Sequence, residues 1–253
     1  MKSPLSVVIA AFNEEKNIDG CLQSVDWADQ VIVVDGGSSD RTRDIASHHT
    51  SEILVTGNSP AETQRLKGLR QARHAWFFLL DADERVSAGL RAQIEKTIAG
   101  ADAKSAYFVL RKNLYKGRAV HLHSPDYQLR LFRKEEIGAL PEKIHRIPKI
   151  RGEAGKLDGE LSHHFFTTVH DYLKKLNAYT GLEASYRQGD GRGRARLLRD
   201  LTWKPLGRFI QYYFFKKGFM DGFFGFFYSL SSAYYEWAVT ARLLLDPAPD
   251  EKN

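Results

Sequence analysis

Trp76-Phe77-Phe78-Leu79-Leu80-Asp81-Ala82-Asp83-Glu84 is the stretch that decides how this chain folds. Its run of large apolar residues reads as a strand buried on both faces, the kind found inside a parallel sheet. The run delivers carboxylates at its carboxyl end, which is where open α/β sheets bind ligands. Asp81 and Asp83 are two residues apart, so one can face the polar part of a ligand while the other reaches a hard cation. Mg²⁺ or Mn²⁺ suits such a site, because it accepts few carboxylate oxygens and takes its other ligands from phosphate and water. A solvated turn after a strand would carry the same residues, so the rest of the chain must decide between the two.

Towards the amino terminus, residues 7–11, 31–34 and 53–55 are further short apolar runs. Ile18, Cys21, Leu22 and Val25 recur with the period of a helix between the first two. A polar, glycine-rich turn with Ser39 or Asp40 as N-cap leads into a helix over 42–48, and Pro60 opens another that runs to about residue 73. Residues 87–99 form the next helix. This alternation predicts an α/β fold with a mostly parallel central sheet and flanking helices. From 107 to about 166 the texture changes to short strands, 107–110 and 128–132 among them, with a loop at 140–148. Helix resumes after Thr168 to about residue 186, and 187–199 reads as a flexible basic linker or a phosphate-binding loop. Two domains are expected, 1–166 and a helical C-terminal region over 167–253.

That C-terminal region differs in kind. Eight of the fifteen phenylalanines lie between Phe209 and Phe227, with Arg208, Lys216 and Lys217 among them. Its longest uncharged run, between Asp221 and Glu236, is shorter than the roughly 20 apolar residues of a spanning helix. Aromatic and basic residues together suit a helix lying in the headgroup zone of an anionic membrane surface. Packing of the same aromatics against protein is the alternative. The net charge of +6 allows anionic lipid, phosphorylated substrates or nucleic acid. Phe-rich clustering in a helical tail argues against nucleic acid, and none is expected. Cys21 is the sole cysteine, so no internal disulfide can form, as befits a reducing compartment. The first apolar run is too short for a signal peptide, which places the protein in the cytoplasm.

Three loops leave successive strands: Ala11-Phe12-Asn13-Glu14-Glu15, Asp35-Gly36-Gly37-Ser38-Ser39-Asp40 and Asp81-Ala82-Asp83. In a parallel sheet they converge on one edge. No Gly-x-Gly-x-x-Gly turn follows the first strand and no P-loop is present, so a Rossmann dinucleotide site is not the leading reading. The three motifs, in this order and spacing, resemble the family 2 inverting glycosyltransferases of the GT-A fold, over roughly residues 4–165. Lys204-Pro205-Leu206-x-Arg208-Phe209 and Lys217-Gly218-Phe219-x-Asp221-Gly222 resemble the tail of the lipopolysaccharide core glucosyltransferase branch.

The resemblance implies a hexosyltransferase that uses a nucleotide-sugar donor, UDP-linked, with Mg²⁺ or Mn²⁺ and a lipid-anchored glycan acceptor. It places the enzyme peripherally on the inner face of the cytoplasmic membrane. Ala11, Phe12, Glu14 and Gly37 would line the nucleotide pocket, and Asp35 would accept from the uracil ring N–H. Arg65 would face the nucleotide or its phosphates, Asp81 would approach the ribose, and Asp83 would hold the metal. Family members often carry Arg-Asn where this chain has Arg65-Leu66, so one polar contact is lost. An acceptor-side carboxylate should act as general base; Glu142 is the candidate, with Asp126 in reserve, and His145 would orient the acceptor or complete the metal shell. His163 and His164 would point to opposite faces of a strand, and one could reach the metal. Arg111, Lys112, Lys116 and Arg118, with arginines 192, 194, 196 and 199, are expected to form a basic surface for a phosphorylated acceptor. A polyprenyl-phosphate glycosyltransferase and a non-catalytic basic binding module are the competing readings. The Gln-x-x-Arg-Trp signature of processive synthases is lacking, and so is the glycine-rich first loop of a nucleotidyltransferase.

Overall fold

The computed structural model describes residues 3–57, 59, 61–137, 150–166, 168–188 and 193–246. The chain divides into two compact units, residues 1–112 with 125–164 and residues 113–124 with 165–253.

In the first unit, β1 (Leu5–Ala11) is buried along its whole length. It lies between β2 (Gln30–Asp35) and β4 (Trp76–Asp81), parallel to both, and β3 (Ile53–Val55) extends the sheet beyond β2. Helices α1 (Ile18–Gln23), α2 (Thr42–Ser47) and α3 (Ala61–Gln71) make the connections, as parallel pairing requires. Alternation along β4 sends Phe78 and Leu80 into one core and Phe77 and Leu79 into the other, so helices cover both faces. Helix α3 rides close on the sheet at Gly68, where a Cβ would lie 2.2 Å from Val8 Cγ1. Pro60, expected to open this helix, lies outside the described residues.

Antiparallel strands continue the sheet past β4. They are β8 (Asp126–Arg133), β6 (Ala106–Tyr115), β9 (Ala154–His164) and β5 (Glu84–Val86), in the overall order β3-β2-β1-β4-β8-β6-β9-β5. Phe77 stacks on Phe132 at 5.1 Å between ring centres, locking β4 to β8. Helix α4 (Ala88–Ala99) starts where Ser87 Oγ accepts from the Leu90 amide at 3.2 Å. The short strand β5 has no signature of its own in the sequence, since three residues beside a turn show no periodicity.

The second unit is helical apart from the hairpin end of β6 and β7 (Arg118–Ala119). Helix α5 (Val169–Arg187) is capped by Thr168, and α6 (Arg194–Ile210) runs into a wider π turn, Gln211–Phe215. The chain then reverses through Lys217, at φ 62°, and a 3₁₀ turn, Gly218–Asp221, into α7 (Gly222–Leu245). Gly218 and Gly225 permit the reversal to be tight: a Cβ on Gly225 would sit 1.8 Å from the Gly218 carbonyl oxygen. The Asp221 carboxylate accepts from the His121 and Leu122 amides, each at 2.7 Å. Many tail aromatics pack within this unit, Tyr115 on Phe224 at 4.3 Å and Phe166 on Tyr172 at 4.3 Å. The expected basic linker over 187–199 is shorter than its composition suggests. Arg187 closes α5 in an ion pair with Glu183 at 2.5 Å, and Arg194 opens α6. Arg192 lies outside the described residues. No helix among the described residues is long and apolar enough to cross a membrane.

Candidate donor and metal site

The loops after β1 and β2 are stitched together by their own polar side chains. Ala11 pairs in register with Asp35, and the Gly36 amide donates to the Ala11 carbonyl at 2.8 Å. Asn13 takes a left-handed φ of 54°, which lets its Oδ1 accept from the Ser39 amide at 2.9 Å. The Glu14 amide donates to Thr42 Oγ1 at 2.8 Å, and the Glu14 carboxylate accepts from Asn17 Nδ2 at 2.7 Å. Asp35 is wholly buried and organises its own turn. It accepts from the amides of Gly37 (3.0 Å) and Ser38 (2.9 Å) and from the Ser38 hydroxyl. Gly37, at φ 92°, allows that turn. At Gly36 a Cβ would lie 2.4 Å from Gln64 Nε2 and 3.4 Å from the Phe12 ring, so the backbone there packs against Gln64 with Phe12 in ordinary contact. The structure thus brings Ala11, Phe12, Glu14, Asp35 and Gly37 to one sheet edge.

Beside them the end of β4 is a knot of charge. Asp81 pairs with Arg65 of α3 and, at 2.9 Å, with Arg130 of β8. Arg130 Nη2 also donates to Glu84 Oε1 at 2.5 Å, and Glu84 Oε2 accepts from the Asp81 amide at 2.9 Å. Arg111 Nη1 stands 3.4 Å from Glu84, while its Nε donates to Asp126 at 2.8 Å. Burial opposes ionisation of Asp81, but Arg65 and Arg130 outweigh it and hold the carboxyl well below the usual range. Glu84, wholly buried, goes the other way: burial and neighbouring Asp81 push it up against the pull of Arg130.

Asp83 leaves this knot and meets β9. The register Glu84↔His163 sets His163 Nε2 at 3.5 Å from Asp83 Oδ2, and the His164 amide donates to the Asp83 carbonyl at 2.9 Å. Burial works against the His163 imidazolium, yet the Asp83 carboxylate prevails and raises its pKa; burial and Arg85 lower that of His164. Among the described residues no three His, Cys, Asp or Glu side chains are grouped to hold a metal. One carboxylate and one imidazole do fit a cation that draws its remaining ligands from diphosphate and water.

Residues 6–149 match the model of Glycosyl transferase family 2. The chain belongs to that family. It is 26% identical to the lipopolysaccharide core biosynthesis glycosyltransferase LpsC of Rhizobium meliloti, over 96% of this chain and 92% of that one. It is 27% identical to the uncharacterized glycosyltransferase RT0209 of Rickettsia typhi, over 94% of this chain and 86% of that one. Among solved structures it is similar to glucosyl-3-phosphoglycerate synthase from Mycobacterium tuberculosis in complex with Mn²⁺ and UDP-glucose. That similarity has a TM-score of 0.47 and 14% identity, and it covers 72% of this chain and 77% of that chain. This glycosyltransferase has the α/β fold expected of its family, with helices flanking the central sheet and an aromatic-rich helical region at its C-terminus.

Several site residues of the glycosyltransferase are placed differently from the sequence reading. Arg111 is not part of an open basic surface, because Asp126 and Glu84 hold it, and Lys112 is paired with Glu160 at 3.1 Å. Asp126, the reserve base, has its oxygens engaged by Arg111 and, at 2.6 Å, by Gln128. Lys116 lies over the Tyr115 ring, and Arg118, Arg194, Arg196 and Arg199 are exposed. Glu142 and His145 lie outside the described residues. Glu84 and Arg130 join the site without being singled out by the sequence motifs. Their signal was present, since Arg130 interrupts an apolar run on β8 and Glu84 directly follows the Asp-x-Asp.

Proposed function

We propose that this enzyme is an inverting, metal-dependent hexosyltransferase. It moves a sugar from a UDP-linked donor to a lipid-anchored glycan of the lipopolysaccharide core type, on the inner face of the cytoplasmic membrane. The observation that carries this reading is the Asp83–His163 pair, 3.5 Å apart, beside an Asp81 already neutralised by two arginines. Arg65 and Arg130 cancel the Asp81 charge that would otherwise repel a diphosphate, which leaves Asp83 as the carboxylate for a cation. Asp83 and His163 would hold Mg²⁺ or Mn²⁺. Once bound, the ion offsets negative charge building on the departing nucleoside diphosphate. Phe12 and Glu14 border the nucleobase and ribose end, Asp35 holds the turn there, and Asp81, kept ionised, accepts from a ribose hydroxyl.

Attack by an acceptor hydroxyl on the face of the sugar opposite the diphosphate inverts the anomeric carbon in one displacement. A carboxylate must take that hydroxyl's proton. Because Asp126 is engaged by Arg111 and Gln128, Glu142 is the stronger choice, with His145 orienting the acceptor. Similarity to LpsC, a lipopolysaccharide core biosynthesis glycosyltransferase, supports a lipopolysaccharide core acceptor, and it spans nearly the whole chain.

Calorimetric titration with UDP, GDP and CMP, with and without Mn²⁺, tests the donor site. Metal-dependent binding of UDP is expected, and its loss in Asp83→Ala with the fold intact. If the folded wild-type protein binds no nucleotide, or if Asp83→Ala keeps full turnover, the assignment is wrong. Glu142→Gln should slow transfer by about a hundredfold or more while donor binding stays near normal. An unchanged rate would remove Glu142 as the base.

A further inference from the structure

The aromatic residues of the α6–α7 hairpin fall into two sets. One set packs inward, as in the stack of Tyr115 on Phe224 and the contact of Phe166 with Phe227. The other stands in solvent at the tip: Phe214, Phe215, Phe219, Met220 and Phe223, with Phe215 79% and Phe223 81% exposed. From Phe223 the exposure continues along α7 at helical spacing through Phe226, Leu230, Tyr234 and Trp237. Trp203, Leu206 and Ile210 do the same on α6. Water-facing apolar surface on this scale marks an interaction site.

Charge identifies the partner. Lys216 and Lys217 are exposed within the tip, and Arg194, Arg196 and Arg199 are exposed on α6. The acids of the hairpin are all engaged, Asp200 by Lys204 at 2.8 Å. Asp221 is held by the His121 and Leu122 amides, and Glu236 is buried between Arg187 (3.4 Å) and Arg208 (2.7 Å). The outward face is therefore apolar and positive. A second copy presenting the same face would meet like charge, whereas an anionic leaflet meets opposite charge.

We infer that the tip from Phe214 to Phe223 seats in the headgroup zone of an anionic lipid leaflet. Phe215 and Phe223 enter the acyl boundary, and Lys216 and Lys217 lie among the lipid phosphates. The contact is interfacial, since no described helix is long and apolar enough to cross. It deepens the reading of a lipid-anchored acceptor by naming the surface that brings enzyme and acceptor to the same plane.

Flotation of the full chain with vesicles tests the inference. Mixed phosphatidylglycerol–phosphatidylcholine vesicles should capture the protein, pure phosphatidylcholine much less, and added salt should weaken capture. Phe215→Ser with Phe223→Ser should lower partitioning by at least about tenfold. Lys216→Gln with Lys217→Gln should lower it by about tenfold on anionic vesicles alone. Since these side chains are exposed, melting temperatures should match wild type. Equal binding to both vesicle types, or unchanged binding in the phenylalanine variant, overturns the inference. So does a wild-type dimer in sedimentation that the phenylalanine variant abolishes without any vesicle binding, because the surface then pairs copies. UDP titration of the same preparations separates the two readings. UDP binding without vesicle binding sinks this inference alone, and vesicle binding without UDP binding sinks the donor site alone.

Discussion

Arg130→Met removes the cation at the centre of the charge knot while keeping most of the side-chain volume. Arg130 Nη2 lies 2.5 Å from Glu84 and 2.9 Å from Asp81, and Glu84 is wholly buried. In the variant the nearest remaining cation to Glu84 is Arg111, at 3.4 Å and shared with Asp126. Glu84 then either stays charged in a desolvated place or takes up a proton. Protonation sets the ceiling on the cost. Raising an ordinary glutamate pKa of about 4.3 to neutral pH takes about 1.36 kcal/mol per unit, or about 3.7 kcal/mol in all. Breaking buried ion pairs elsewhere costs about 3–5 kcal/mol, and protonation of Glu84 keeps this case at or below the lower end of that range. Burial already raises the Glu84 pKa in wild type, so part of that cost is present before the substitution, and the expected destabilisation is about 1–3 kcal/mol near neutral pH.

The same argument fixes a pH dependence. In the variant the folded pKa of Glu84 rises further above its unfolded value. The stability held by its neutral form is fully present below the unfolded pKa and is lost as pH rises through the folded one. The penalty should thus shrink on acidification, by up to about 1.4 kcal/mol per unit between about pH 7 and pH 5. Asp81 has the opposite sign: its depressed pKa adds stability above its unfolded value of about 3.9, lost only as pH falls through the depressed folded value. Arg65 still holds Asp81 in the variant, so that loss lies below the window. Urea unfolding of both proteins at the two pH values measures the effect. A penalty under about 1 kcal/mol at neutral pH, or one of equal size at both, would refute the account of the knot.

Two further substitutions probe the site and its support. His163→Gln should weaken Mn²⁺-dependent UDP binding by about tenfold or more in calorimetry, with little change in metal-free binding. For wild type that binding should fall on acidification, because a metal ligand must be a neutral imidazole and Asp83 raises the His163 pKa. Gly68→Val would drive a side chain into Val8 Cγ1 and Val34 Cγ2, at 2.2 and 2.9 Å from the Cβ position, lifting α3 from the sheet. A loss of about 1–3 kcal/mol in urea unfolding is expected, and an unchanged midpoint would contradict the close packing.

What the sequence determined by itself was local. The apolar run 76–80 reads as a strand buried on both faces because it is short, rich in aromatics and ends in a turn, and β4 is that strand. The strand–helix alternation before it implied parallel pairing, and the carboxylates at the end of β4 marked the binding edge. Only the tertiary structure decided which charges meet. Arg130 and Asp81 are 49 residues apart, Arg111 and Glu84 27, and their pairing depends on the antiparallel registers of β8 with β4 and β6. His163 reaches Asp83 because β9 lies along a three-residue strand that carries no periodic signal. The tail shows the same division. Composition made it aromatic and helical, but the left-handed turn at Lys217 and the Gly218–Gly225 contact sorted its rings into an inner set and an exposed tip. Periodicity records which face of an element is apolar; the partner of that face is set by chain reversals and registers that no short window contains.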